Sequence, residues 1–451
     1  MSPLSPEALA ATVRDGMPRL IDDLRRMVAI PSIAFPGFPL EPVLEAAGLT
    51  ADLLREVGCD VRFLELPDSP PAVFGEIPAP AGAPTVLLYA HYAIQPAGDL
   101  DAWHSAPYEL TERDGRLYGR GAADDKSGVC MHLASIRAFG GKPPVGIKVL
   151  VEGEEETGGS GLEAYVSARP GLFAADVAVV ADMGNWRAGE PTLTTSLRGV
   201  ADCIVEVSTL KGPVHSGAYG GPFPDALMAL IKALATLTDD NSTVTVDGLP
   251  HGTWDGYEPS EAEMRIEAGV LDGVRLTGTG SLGARLWRKP SVNVIGIDAP
   301  AVDGSRNALV HHARAKVSLR VPAGFGVAEA LDLLCRHLER AVPWGAHVSV
   351  TPGAAGPGFA ATDGGPAYAA AREALAFAYG KGAVAMGSGG SIPLVSTFAS
   401  ALPGVEVLLW GAEDGACQIH APNESVSADE LERASIAQAV LLQLLAERAR
   451  A

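Results

Sequence analysis

Apolar residues recur at helical spacing from Pro6 to Ile30, where Leu9, Val13, Leu20, Leu24 and Val28 share one face and Pro31 ends the pattern. The spacing predicts an amphipathic first helix. Four shorter runs, Thr85–Ala90, Gly146–Val151, Asp176–Ala181 and Val405–Trp410, have the length and composition of strands buried on both faces. Val129–Phe139 reads as a helix. Strand, loop and helix signals alternate to about residue 192, which predicts an α/β layer architecture. Between 193 and 355 the texture changes to alternating strands such as Ala201–Val207 and Ala315–Val321, with a helix at Asp225–Leu237, and predicts an inserted α+β domain. Within it, the polar stretch Asp239–Arg285 is too long for an ordinary loop and is expected to be structured or functional. The α/β pattern resumes after residue 355 and closes in a long helix, Ala428–Ala449.

Each of the four buried strands leads into residues that bind metals. Thr85–Ala90 is followed by His91, Gly146–Val151 by Glu154, Glu155 and Glu156, Asp176–Ala181 by Asp182, and Val405–Trp410 precedes His420. Ligands of open α/β sheets bind beyond the carboxyl ends of the strands, so these side chains are expected to converge. With Asp124, in Arg120-Gly-Ala-Ala-Asp-Asp-Lys-Ser127, they make a histidine and carboxylate set suited to two divalent metals. The pattern reads as a metal-dependent hydrolase.

Length and charge narrow this further. At 451 residues the chain exceeds what one core serves, so two or more domains are expected. Thirty-four basic against 54 acidic side chains give a formal charge of -20, which disfavours nucleic acid or an anionic membrane as partner. The five cysteines are scattered and odd in number, with no C-x-x-C pair, so neither a disulfide framework nor a thiolate zinc site is indicated. No signal-peptide pattern or membrane-length apolar stretch is visible, and the expectation is a soluble cytoplasmic protein.

At these residues the chain resembles the dinuclear zinc metallopeptidase family that includes carnosine dipeptidase, carboxypeptidase G and succinyl-diaminopimelate desuccinylase. The carnosinase-type dipeptidases are the most similar branch, judged by His91-Tyr-Ala-Ile-Gln-Pro96, Asp114-Gly-Arg-Leu-Tyr-Gly-Arg-Gly121, Trp287-Arg-Lys-Pro-Ser291, Gly389-Gly-Ser-Ile-Pro393 and His420-Ala-Pro-Asn-Glu424. The resemblance implies a catalytic domain with a central mixed sheet flanked by helices, residues 1–192 and 356–451, and an inserted α+β lid and dimerisation domain, residues 193–355. It implies that one metal takes His91 and Asp182, the other Glu156 and His420, and that Asp124 bridges both, with zinc expected and manganese as the alternative. Glu155 matches the family's general base, and a cis peptide is expected between Asp124 and Asp125. His215, in Gly212-Pro-Val-His-Ser-Gly217, matches a histidine that reaches the partner subunit's site and binds the oxyanion, which makes a homodimer the expected assembly. Arg320 resembles an arginine that clamps a substrate carboxylate, Ser391 a donor to the same group, and Asn307 a polar substrate contact. The implied reaction is hydrolysis of the amide bond of a dipeptide or similar small amino-acid conjugate.

Two departures from the family pattern bear on activity. The family has His-x-Asp where this chain has His91-Tyr92-Ala93, so the carboxylate that orients the metal-binding imidazole is absent, a change that typically costs about 10- to 100-fold in metal affinity or activity. Carnosinase-type relatives usually carry Arg-Glu before the glycine pair, whereas Gly387-Ser388 stands here, which points to a different substrate-binding edge. Two alternatives therefore stay open beside the dipeptidase: an N-acyl amino acid or other amide hydrolase on the same site, and a catalytically weakened or silent metal- or ligand-binding homologue.

Overall fold

The computed structural model describes residues 4–159, 161–361, 364–390 and 392–450. Two compact units emerge. One comprises Met1–Thr195, Ala361–Met386 and Leu394–Ala451, the other Ser196–Ala360 and Gly387–Pro393.

In the first unit, helix α1 (Pro6–Val28) begins with Ser5 accepting a hydrogen bond from the Ala8 amide and with Pro6 in the first turn, both favourable where helix amides lack partners. It buries Leu9, Val13, Leu20, Leu24 and Val28, the face that the spacing predicts. Helix α2 (Glu41–Glu56) follows, then strands β1 (Asp60–Leu66), β2 (Ser69–Ile77) and β3 (Thr85–His91). Helix α3 (Lys126–Arg137) starts three residues before the apolar run that announced it, because the Asp125 side chain caps it by accepting from the Gly128 amide. Strands β4 (Gly146–Glu152), β5 (Val177–Val180) and β6 (Thr192–Leu197) complete this segment.

The second unit is an antiparallel sheet with helices on it. Strand β7 (Gly199–Ser208), helix α4 (Ala226–Ala235), strands β8 (Ser291–Asp298) and β9 (His312–Val321), helix α5 (Val327–Ala341) and strand β10 (His347–Gly356) follow in chain order. The sheet runs β8, β9, β7, β10. Inward residues of β7 and β9 alternate with outward ones and pack with Leu230 of α4 and Leu334 of α5. The stretch 239–285 is structured: Asp239 accepts from the amides of Asn241 and Thr243, and Glu261–Glu267 is helical.

The chain returns to the first unit through helix α6 (Pro366–Tyr379), strand β11 (Glu406–Leu409) and helix α7 (Ala428–Arg448). Its sheet is mixed, as expected: β4, β3, β5 and β11 are parallel neighbours, while β2 joins β4, and β1 joins β2, antiparallel. Against the expected bounds of 193–355 for the insert, the second unit runs to Ala360 and also takes Gly387–Pro393. Local pairing accounts for both additions. Phe359 and Ala360 pair antiparallel with Leu197 and Ser196, and the Arg198 amide donates to the Ser388 carbonyl.

Candidate active site

In the first unit the parallel strands β3 and β4 stop level with one another, and β5 stops two residues short of them. Register pairs His91 with Glu152 across β3 and β4, and Tyr89 with Val180 across β3 and β5. Side chains alternate along a strand, so Val86, Leu88 and Ala90 enter the core with α1, α3 and α7, while His91 points to the opposite face. Glu155 and Glu156 lie on a short turn just past β4, and Asp182 two residues past β5. His420 comes from a loop well beyond β11 and holds φ +62°, in the left-handed region. Asp124 precedes α3, and the Asp124–Asp125 peptide is cis. A side chain at residue 128 would put its Cβ 2.2 Å from Asp125 Oδ1 and 2.7 Å from Ala181 Cβ. Only glycine lets α3 start this close to the strand ends.

The five expected ligands fall into two groups that share Asp124. His91, Asp124 and Asp182 bring one ligand atom each to within 4.8 Å of one another, and so do Asp124, Glu156 and His420. Asp124 Oδ1 lies 2.9 Å from His91 Nε2, and its Oδ2 lies 2.9 Å from His420 Nε2. Each oxygen therefore faces a different imidazole, as a carboxylate bridging two cations must. His420 Nε2 is also 3.1 Å from Glu156, and Asp182 and Glu155 each approach His91 Nε2 to 3.9 Å. His91 is fully buried, yet its Nε2 makes no hydrogen bond of acceptable geometry. Such an orphaned nitrogen among carboxylates is what a metal ligand looks like, and the nitrogen and oxygen donors at each position fit zinc or manganese.

Electrostatics agree with that fit. Burial pushes the Asp182 carboxyl well above the usual carboxylate range, with Glu155 adding repulsion, and burial likewise raises Glu155. At Asp124 burial pushes upward, but the imidazoles of His420 and His91, each 2.9 Å away, outweigh it and hold the carboxyl low. The same contacts, with Asp124 and Glu156, lift His420 to about 10. Several acids this close together need cations among them.

The absent carboxylate at position 93 turns out differently from expectation. His91 Nδ1 lies 3.0 Å from the Ala93 backbone carbonyl, which accepts its proton, fixes the ring and leaves Nε2 as the ligand nitrogen. The orienting acceptor is therefore present, and only its source has moved from side chain to backbone. Asp125 accepts from the His91 amide with the oxygen not used at Gly128. Gln95, which sequence reasoning passed over, donates from Nε2 to Glu156 Oε2 at 2.8 Å. Its place four residues after His91 was the available signal.

The second unit brings two of its expected site residues together. His215 pairs with Ala308, and the Ser216 amide donates to the Asn307 carbonyl. His215 Nδ1 accepts from the Gly217 amide at 3.1 Å, so the neutral ring carries its proton on Nε2 and presents a donor. Arg320 lies on β9 opposite Val200 and Ser291. Arg198, also unforeseen, donates from Nη1 to Ser291 Oγ, and burial together with the nearby Arg320 lowers it to about 10. A Cβ at Gly389 would come 3.1 Å from Arg198 Nη2, so glycine permits that approach. Ser391 lies outside the described residues.

Comparison with known proteins fits this arrangement. A cysteinylglycine-S-conjugate dipeptidase from Corynebacterium striatum is 40% identical over 406 residues, covering 88% of this chain and 89% of its own. The human Beta-Ala-His dipeptidase is 28% identical over 351 residues, covering 71% and 68%. The crystal structure of human carnosine dipeptidase 1 superposes with a TM-score of 0.80 at 25% identity, covering 98% of this chain and 99% of that one. The dipeptidase Dug1p of Saccharomyces cerevisiae shares the fold, with a TM-score of 0.81 at 22% identity over 98% and 99%. The model of peptidase family M20/M25/M40 matches residues 87–445, a span that holds every candidate ligand and the whole of the second unit, and the chain belongs to that family.

Proposed function

We propose that this chain is a two-metal dipeptidase that acts as a homodimer on a small dipeptide or amino-acid conjugate, with a cysteinylglycine-type substrate as the leading choice. The observation that carries this reading is the pair of ligand groups joined at Asp124 with Glu155 beside them. Bound at His91, Asp124 and Asp182 and at Asp124, Glu156 and His420, two zinc ions, or manganese in their place, would polarise the scissile carbonyl and acidify the attacking water. Glu155 takes the proton of that water and passes it to the leaving amine. Burial raises its proton affinity above that of an ordinary glutamate, which suits an acceptor that must later donate. His215, supplied by the partner subunit, donates from Nε2 to the carbonyl oxygen as negative charge builds there. Arg320 holds the substrate carboxylate by paired hydrogen bonds, with Asn307 and Ser391 as further substrate contacts.

The dimer is supported by an edge strand that leaves apolar residues in water. On β8, Val294, Ile295 and Ile297 are exposed, as are Met228 and Ile231 on α4. Such a row on a strand whose outer edge has no partner among the described residues is a template for a second copy. A cytoplasmic location completes the reading; all five cysteines are free and buried, and no described helix is long and apolar enough to cross a membrane.

An acyl-amino-acid hydrolase remains the second reading because Ser388 stands where carnosinase-type relatives usually have glutamate. Metal analysis of the purified chain, coupled to a substrate panel, separates the two. The expected result is two metals per chain and at least tenfold higher kcat/KM on cysteinylglycine or its S-conjugates than on N-acyl amino acids. The reverse preference would install the second reading, and two bound metals without turnover would install the silent homologue.

A further inference from the structure

The motif that closes the second ligand loop, His420-Ala-Pro-Asn-Glu424, ends in a carboxylate with no part in the chemistry above. Glu424 is fully buried and carries four hydrogen bonds, all from the loop that presents Asp124. Its Oε2 accepts from Arg120 Nη1 at 2.5 Å and from the Gly121 amide at 3.0 Å. Its Oε1 accepts from the amides of Ala123 at 3.0 Å and of Asp124 itself at 3.1 Å. The Gly119 amide donates to the Glu424 carbonyl, and Arg120 Nη2 donates back to the Ala421 carbonyl, so the two loops are stitched along their length. A buried ion pair with Arg120 alone would need only one of these contacts. Instead, three backbone amides of one ligand loop converge on the side chain that ends the other.

The far end of the stitched loop is under backbone strain. His420 and Asn423 are non-glycine residues at φ +62° and +65°, a sparsely populated conformation that persists only where surroundings enforce it. Asn423 is held by donating to the Ala102 carbonyl and accepting from the His104 amide. Glu424, next in the chain, ties the segment to Asp124. The two ligands so joined, Asp124 and His420, belong to the same metal position, whereas His91 and Asp182 are set by strand register.

Resting on the two-metal reading, we infer that Glu424 is a positioning residue that fixes Asp124 against His420 and thereby builds the metal position of Asp124, Glu156 and His420. Its loss weakens that position selectively. The His91 position keeps its strand-borne ligands and feels the change only through the shared Asp124.

Manganese titration of the full chain, read by electron paramagnetic resonance, tests this without relying on turnover. The wild type is expected to take two equivalents and show the spectrum of an exchange-coupled pair. In Glu424→Gln the amide turns a donor toward amides that need acceptors, so the weaker dissociation constant should rise about 10- to 100-fold, as for other groups that orient metal ligands, with under threefold change in the tighter one. The coupled spectrum should give way to that of isolated ions. Arg120→Lys, which leaves the three backbone contacts in place, should retain the coupled pair. If Glu424→Gln loses thermal stability but keeps both constants and the coupled spectrum, Glu424 is structural only and the inference is overturned. If Glu424→Gln does not fold, Glu424→Asp, too short to reach both strands of the loop, carries the same expectation and the same refutation. A wild type that takes no metal pair overturns the two-metal reading and this inference together, whereas an intact pair in both proteins overturns this inference alone.

Discussion

The two units place their candidate site residues by different means. In the first, three neighbouring strand ends held in register by a parallel sheet deliver His91, the Glu155–Glu156 turn and Asp182 into one small volume, and β3 to β5 are buried on both faces. In the second, His215 lies on a two-residue ladder and Asn307 just before its partner strand, both exposed, and Arg320 sits on an antiparallel sheet whose edge strand faces water. A metal site needs several ligands within a few ångströms, and a rigid buried sheet provides that. Substrate contacts and a partner surface need access, and an open sheet with an apolar edge provides it. The difference predicts that damage to the first unit acts on metal or on the chemical step, while damage to the second acts on substrate or assembly with metal retained.

The largest effect should come from the proposed proton acceptor. Glu155→Ala is expected to lower kcat by about 10²- to 10⁴-fold with two metals still bound, read by steady-state kinetics beside metal analysis; loss of metal instead would make Glu155 a ligand. Next comes His215→Ala, expected to lower kcat by about 10²- to 10³-fold, as for removal of one oxyanion donor, again with metal content unchanged. Mixing it with Glu155→Ala sharpens the comparison, because a hybrid dimer then holds one complete site if His215 acts across the interface. Recovered activity on mixing supports that assignment, and none refutes it. Arg320→Lys keeps the charge and loses the paired geometry, so kcat/KM should fall about 10- to 100-fold, mostly through KM, in line with roughly 1.5–3 kcal/mol for a charged hydrogen bond. An unchanged KM would remove Arg320 from the substrate. The smallest effect concerns Ala93→Asp. With the Ala93 carbonyl already accepting from His91 Nδ1, an added carboxylate brings one more negative charge beside acids that already repel, and turnover should move less than about threefold. A rise of tenfold or more would restore the view that position 93 limits the enzyme.

His91, Asp182 and the glutamate turn were legible because a buried strand and a ligand residue stand next to each other in the chain, and two independent signals coincide there. His420 stands well past its strand, so the strand signal was weaker there, and its assignment to a metal position came from the resemblance. The Ala93 carbonyl could not be read at all: every residue has a carbonyl, and its aim depends on backbone angles that carry no residue signature. The return of Gly387–Pro393 to the second unit was hidden for a related reason, since it rests on backbone pairing to Arg198. Strand β8 escaped because its outward residues are apolar too, which erases the alternation that marks a half-buried strand.

The order of the ligands along the chain has a consequence for how the protein is made. All three ligands of the position of His91, Asp124 and Asp182 have left the ribosome once residue 182 has emerged, before any of the inserted unit exists. The position of Asp124, Glu156 and His420 must wait until that unit has been synthesised and the chain has come back to add β11 and the loop beyond it. The ligand sets of the two positions are thus completed at different times, separated by the synthesis of an entire unit, and the shared aspartate is made long before its second histidine.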